Sequence, residues 1–201
     1  MSGSLRVLES SDSPGKHDHI DIVLKGGKVL RYNDPRRFGC CLFIKPSSAA
    51  LANHSLLLSL GPEPLSDEFD GEHLFKLSRK RTLAIKNFIM DGKIVVGVGN
   101  IYASESLFQA GIRPTAQAGR VSGARYDALA EAVKSVLSKA IKAGGTTLND
   151  FSQVDGKPGY FSQELQVYAR NGEACFKCGI PIKSQIVGQR NTFYCRRCQT
   201  F

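Results

Sequence analysis

Ala174-Cys175-Phe176-Lys177-Cys178-Gly179 and Tyr194-Cys195-Arg196-Arg197-Cys198-Gln199 place two C-x2-C pairs sixteen residues apart in a chain of 201. Two residues between thiolates let each pair reach one ion from a tight turn. Sixteen between the pairs leave room for a β-hairpin that brings them together. Gly179 follows the first pair directly, where a knuckle turn favours glycine. Ile186-Val187 and Thr192-Phe193-Tyr194 supply the strands of the hairpin. The expectation is one Zn2+ held by Cys175, Cys178, Cys195 and Cys198, a closed structural site with no open coordination position. Arg190 falls at the hairpin tip, Gly188-Gln189-Arg190-Asn191, where it suits solvent as well as a phosphate.

The remaining cysteines, Cys40 and Cys41, sit in the apolar run Cys40-Cys41-Leu42-Phe43-Ile44, which reads as a strand with buried free thiols. Net charge is +9 and is concentrated. Residues 76–93 hold Lys76, Arg79, Lys80, Arg81, Lys86 and Lys93 against Asp91, and residues 171–201 hold five basic residues against Glu173. Four zinc-bound thiolates would offset part of the second group. Such segments point to a polyanion, most often nucleic acid, although a basic surface can serve solubility alone. Hydrophobic content of 42% supports a packed core, and charged content of 22% is too low for a disordered polyelectrolyte. No apolar run reaches the length of a membrane span, and Met1–Arg6 carries no apolar stretch of signal-peptide type, so a cytoplasmic location is expected.

Residues 19–24 alternate, Gly26-Gly27 follows, and Lys28–Tyr32 completes a β-hairpin. Asp34-Pro35 ends the second strand and leads into Arg36-Arg37-Phe38-Gly39. His17 and His19 share one face of the strand entry but lack a third metal ligand nearby. Residues 49–58 form a short helical candidate, and 72–90 read as helix, in one piece or two. Asn100 suits the N-cap of a helix over Ile101–Ala110, stopped by Gly111 and Pro114. The glycine-bearing link Ile94-Val95-Val96-Gly97-Val98-Gly99 joins these helices. It reads as a helix–turn–helix able to meet a phosphate or as an ordinary buried connection. From Ser122 to Ala143, Tyr126, Leu129, Ala130, Val133, Val136, Leu137, Ala140 and Ile141 mark one helical stripe. Thr146 or Thr147 suits the cap of a short helix through Phe151, and residues 152–172 read as a loop.

Four motifs occur in order: Asp34–Gly39, Val96-Gly97-Val98-Gly99-Asn100-Ile101-Tyr102-Ala103-Ser104-Glu105, Asp155-Gly156-Lys157-Pro158-Gly159-Tyr160-Phe161, and the C-terminal finger. Together they resemble the bacterial formamidopyrimidine-DNA glycosylase family over essentially the whole chain. The resemblance implies an α+β fold: residues 1–45 as the remnant of a β-sandwich catalytic domain, 46–165 as a helix–two-turn–helix DNA-binding domain, and 166–201 as the zinc finger. It implies excision of oxidised purines such as 8-oxoguanine and formamidopyrimidines from double-stranded DNA, with abasic-site lyase activity, by a monomer carrying one Zn2+. It also implies that Met1, Arg36 and Phe38 fill the gap left by a flipped nucleotide. His17, Arg36 and Arg81 would contact DNA. Asn100 would meet backbone near the lesion, and Arg190 would hold a phosphate and assist elimination. The segment 146–164 would cover the everted base.

The family's nucleophile is a proline amine followed by a Pro-Glu-Leu-Pro-Glu type segment, and no such segment occurs among these 201 residues. The chain therefore reads as a fragment, a wrong start or the product of a broken gene. The expectation is DNA binding without incision; a zinc-finger DNA-binding protein without catalysis is the alternative function. Lys86 and Lys93 are the nearest amines able to substitute.

Overall fold

The computed structural model describes residues 3–44, 53–145 and 164–200. Contacts divide the chain into two compact units, Met1–Pro46 with Ala140–Glu164 and Ser47–Lys139 with Leu165–Phe201. The fold is α+β.

In the first unit, β1 (Ser4–Glu9), β2 (Asp18–Val23) and β3 (Lys28–Asn33) form an antiparallel sheet with β3 in the centre. Gly26 and Gly27 make the expected β2–β3 turn with φ of 88° and 77°, which side-chain-bearing residues rarely adopt. Leu5 pairs with Tyr32 and Val7 with Leu30 on one side, and Ile20 with Tyr32 and Ile22 with Leu30 on the other. Alternation therefore places these six residues on one face, yet Leu5, Val7 and Ile22 remain exposed. The opposite face carries buried Val29 beside a charge network. Arg31 is buried, donates twice to the Asp21 carboxylate at 2.8 Å and once to the Asp12 carbonyl at 2.8 Å. Its hydrogen bond holds Asp21 below the usual carboxylate range. A bulge between Asp18 and Ile20 interrupts the strand entry that carries His17 and His19.

Two readings of this region are corrected. Residues 40–44 are not a strand, and Cys40 and Cys41 are exposed. β1 and β2 flank β3, and among the described residues, 40–44 pair with neither edge.

The second unit is helical with the finger packed onto it. Its helices are α1 (Gly71–Ser78), α2 (Ile85–Ile89), α3 (Asn100–Gln109) and α4 (Gly123–Lys142, ending beyond the unit's Lys139 boundary). The Asp70 carboxylate caps α1 by accepting the His73 N–H at 2.7 Å. Lys80, with φ of 64°, stands between α1 and α2, so the 72–90 region is two helices. Leu74, Ile85, Phe88, Ile89, Leu107, Tyr126, Leu129 and Val133 share one buried core. The α4 stripe holds except at Ile141, which is exposed one residue before the helix ends. Residues 53–58 form turns rather than the helix expected there, and 49–52 lie outside the described residues. The Thr146–Phe151 helix and the covering segment, apart from Glu164, also fall outside them.

Asn100 is the first residue of α3, not its cap. Gly99 occupies the N-cap, with no side-chain cap hydrogen bond. The Asn100 side chain is engaged elsewhere, as described below. Behind it, Leu107 joins the helical core while adjacent Phe108 joins a second cluster with Val167, Ile182 and Phe193. α3 is thus buried on two sides and links the helices to the finger hairpin, β4 (Lys183–Val187) and β5 (Arg190–Tyr194).

Candidate nucleic-acid interface

The four cysteine sulfurs lie within 4.8 Å of one another, with Cys175–Cys198 at 3.9 Å and Cys178–Cys195 at 3.5 Å. Tetrahedral zinc with Zn–S bonds of about 2.3 Å sets its sulfurs about 3.8 Å apart, so this donor set fits. Burial and the neighbouring sulfurs push the Cys198 thiol up to about 12 when no cation compensates, so loading a cation must expel protons. Gly179 takes φ of 74° behind the first knuckle.

Helix α2 aims two side chains at the finger. Lys86 is completely buried, and its Nζ donates to Asn100 Oδ1 at 2.5 Å, Thr192 Oγ1 at 2.6 Å and the Asn191 carbonyl at 3.3 Å. Asn100 Nδ2 in turn donates to the Asn191 carbonyl at 3.1 Å and to Tyr168 Oη at 3.3 Å. Thr192 closes the set by donating to the Arg190 carbonyl at 3.1 Å. Desolvation, and then the charge of Arg190, lower Lys86 to about 8. Asn87, the next α2 residue, packs so closely on Gly188 that a Cβ there would overlap its amide; Gly188 also has φ of 56°. The hairpin tip is therefore seated on α2, with the Arg190 residue exposed beyond it.

Two more polar devices fix the finger. The Glu105 carboxylate on α3 accepts the backbone N–H groups of Gln166, Val167 and Tyr168 at 2.8–2.9 Å. Burial still pushes this carboxyl above its ordinary range. At the other end, Gln199 is buried, accepts the Cys195 N–H at 2.8 Å and donates to the Ile112 carbonyl at 2.9 Å. Arg113 and Arg125 donate to carbonyls of Gln199, Arg196 and Thr200.

The sequence-derived residues separate between the units. Asn100 and the Arg190 hairpin come together through Lys86. Arg81 is exposed, with its backbone bonded to Ser78 and Gly119. Gly97, with φ of 75°, makes the turn before α3. In the first unit, Arg36 and Phe38 form one exposed loop, with the guanidinium carbon 5.4 Å from the ring centroid. Buried Asp34 shapes that loop: its carboxylate accepts the Gly39 N–H at 2.8 Å, the Arg36 N–H at 3.3 Å and the Tyr32 hydroxyl at 3.0 Å. The His17 carbonyl accepts the Asp34 N–H, and the His17 residue is half-buried. Met1 lies outside the described residues. Among the described residues the cysteines form the only group of metal-ligand side chains, and the two histidines do not join one.

Reading the sequence alone missed the joining roles of Lys86, Thr192, Glu105 and Gln199. Lys86 carried a weak signal, a charged residue directly between apolar Ile85 and the Phe88-Ile89 pair of a short helix. As a substitute amine it is corrected, because it is buried with its donors engaged. Lys93 is exposed.

Family models agree with this arrangement. Residues 60–152 match the formamidopyrimidine-DNA glycosylase H2TH domain, 1–41 the N-terminal domain of the same family, and 172–200 the zinc finger found in FPG and IleRS. The formamidopyrimidine-DNA glycosylase of Alteromonas mediterranea is 59% identical over 99% of this chain and 72% of its own length. That of Escherichia coli O6:H1 is 58% identical over the same shares. The MutM (FPG) crystal structure from Thermus thermophilus superposes with a TM-score of 0.86 at 36% identity, covering 99% of this chain and 73% of that one. Lactococcus lactis Fpg in complex with abasic-site DNA gives 0.87 at 32%, covering 100% and 73%. At this identity and coverage, the chain belongs to the formamidopyrimidine-DNA glycosylase family.

Proposed function

We propose that this protein serves base-excision repair as a DNA-formamidopyrimidine glycosylase, acting on duplex DNA that carries oxidised purines or abasic sites, in the cytoplasm. The carrying observation is the junction at which Lys86 ties Asn100 to the hairpin bearing Arg190. A polyanion is met well by a helix head and an exposed guanidinium carried on a seated hairpin, because an ordered backbone loses little entropy on binding. Arg81, Asn100 and Arg190 are read as backbone contacts, with His17 and the Arg36–Phe38 loop acting at the lesion beside Met1. The division of labour follows three parts: 1–45 for the lesion, 46–165 for the helical grip, and 166–201 for the finger. The ion in the four-cysteine site is read as Zn2+, holding the finger's shape.

For the 201 residues alone, the reading is binding without incision. The family chemistry implied by the motifs needs an amine that attacks the sugar C1′, forms an iminium and drives β- and δ-elimination. Lys86 has no free access, its Nζ being buried and engaged by three acceptors, and Lys93 is an exposed surface lysine. Borohydride trapping on a duplex with one 8-oxoguanine or one abasic site tests this. The expected result is a gel shift with no covalent adduct. A robust adduct would contradict the binding-only reading, and its attachment site would identify the amine.

A further inference from the structure

We propose that Lys86 is a positioning residue for DNA binding, a buried strut that sets the Asn100 side chain and the Arg190 hairpin in register. This rests on the reading of Asn100 and Arg190 as backbone contacts. A lysine with no solvent exposure needs a reason, because burying an ammonium costs several kcal/mol unless each donor is met. Here three N–H bonds are matched by three acceptors on two elements: Asn100 on α3, and Asn191 and Thr192 on β5. A packing role alone would be met by methionine or leucine.

The geometry assigns a more specific task. Asn100 Oδ1 is held by Lys86 while its Nδ2 is held by the Asn191 carbonyl, so the amide plane is fixed from both ends. Thr192 accepts from Lys86 and donates to the Arg190 carbonyl, which transmits the same anchor to the first residue of β5. Asn87 against Gly188 seats the tip from the adjacent α2 position. One short helix therefore sets the spacing between two residues that would meet successive parts of one DNA backbone. The lowered titration of Lys86 agrees with a site that pays for burial and for facing Arg190.

The test is a mutant cycle read by fluorescence anisotropy on a duplex bearing a tetrahydrofuran abasic analogue. Asn100→Ala and Arg190→Ala should each weaken binding. Lys86→Met should weaken it about tenfold, the size of a coupling within one contact network, with zinc content and unfolding midpoint retained. The Lys86→Met/Asn100→Ala pair should lose less than the product of the two single effects, because only the Arg190 hairpin is left for the strut to position. Thr192→Val removes one acceptor, keeps the amine, and should shift affinity the same way by a smaller factor. That variant decides the matter if Lys86→Met fails to fold. Wild-type binding by Lys86→Met or by Thr192→Val, with Asn100→Ala impaired, overturns the proposal, and so does a fully additive pair. If Asn100→Ala and Arg190→Ala both bind as wild type, the DNA-contact reading itself falls, and the strut falls with it.

Discussion

The two units are built on opposite principles. The sheet of the first carries Leu5, Val7 and Ile22 exposed on one face and a buried Arg31 paired with the exposed Asp21 on the other. The second buries Phe88, Leu107, Tyr126 and their neighbours almost completely, and adds buried polar ties where the finger meets the helices. Apolar area removed from water contributes roughly 25 cal/mol per Å2. The same kind of side chain is therefore worth much more in the second unit. The Asn100 amide and the backbone of the Arg190 hairpin are tied into that unit by Lys86, Thr192 and Asn191, whereas the Asp34 carboxylate shapes the Arg36–Phe38 loop.

The largest expected effect concerns the metal. Structural zinc in such modules supplies about 10 kcal/mol or more of apparent folding free energy. Cys175→Ser should unfold the finger, leave the helical core largely intact and abolish tight DNA binding. Metal analysis with amide NMR checks this; one zinc per chain in a Cys195→Ser/Cys198→Ser variant would contradict it.

Next comes a direct contrast between the units. Phe88→Ala should cost about 3–5 kcal/mol in urea unfolding of the second unit. Ile22→Ala, on the exposed sheet face, should cost less than about 1 kcal/mol. Equal costs would break the comparison.

Legibility followed the same division. The finger, the β2–β3 hairpin and the α4 stripe were readable because spacing and periodicity are local signals. The strand expected over 40–44 failed because a strand needs a partner edge, and sequence does not state which edge is free. Asn100 was read as a cap because its type suits one. In the folded chain its amide is claimed by Lys86, Tyr168 and Asn191, the last two far along the sequence. β1 alternates Leu5 and Val7, a signal present but weak over six residues. Glu105 and Gln199 bond to backbone groups that no pattern of residue types marks.

A smaller effect is expected from pH. Lys86 titrates near 8 when folded and near 10.5 when unfolded, so its burial penalty is full below about 8. Between those values the folded state releases the proton first, so this group makes stability rise with pH. The neutral amine has one donor fewer for Asn100, Asn191 and Thr192, so affinity should fall over the same window. Arg190 and the Tyr168 hydroxyl are the other titratable groups that face this network. The difference between wild type and Lys86→Met, measured by urea unfolding and by anisotropy from about pH 7 to 9.5, should show the two opposite trends. Parallel trends would contradict this assignment.

The most direct test of the account is a salt titration of DNA affinity for the 201-residue chain. Neutralising about five phosphates predicts that log affinity falls with log salt at a slope of roughly −4 to −5. Arg81→Ala and Arg190→Ala should each weaken binding and make the slope shallower by about one. An affinity independent of salt, or unchanged slopes in both variants, would contradict a DNA grip built on the helix and hairpin of the second unit.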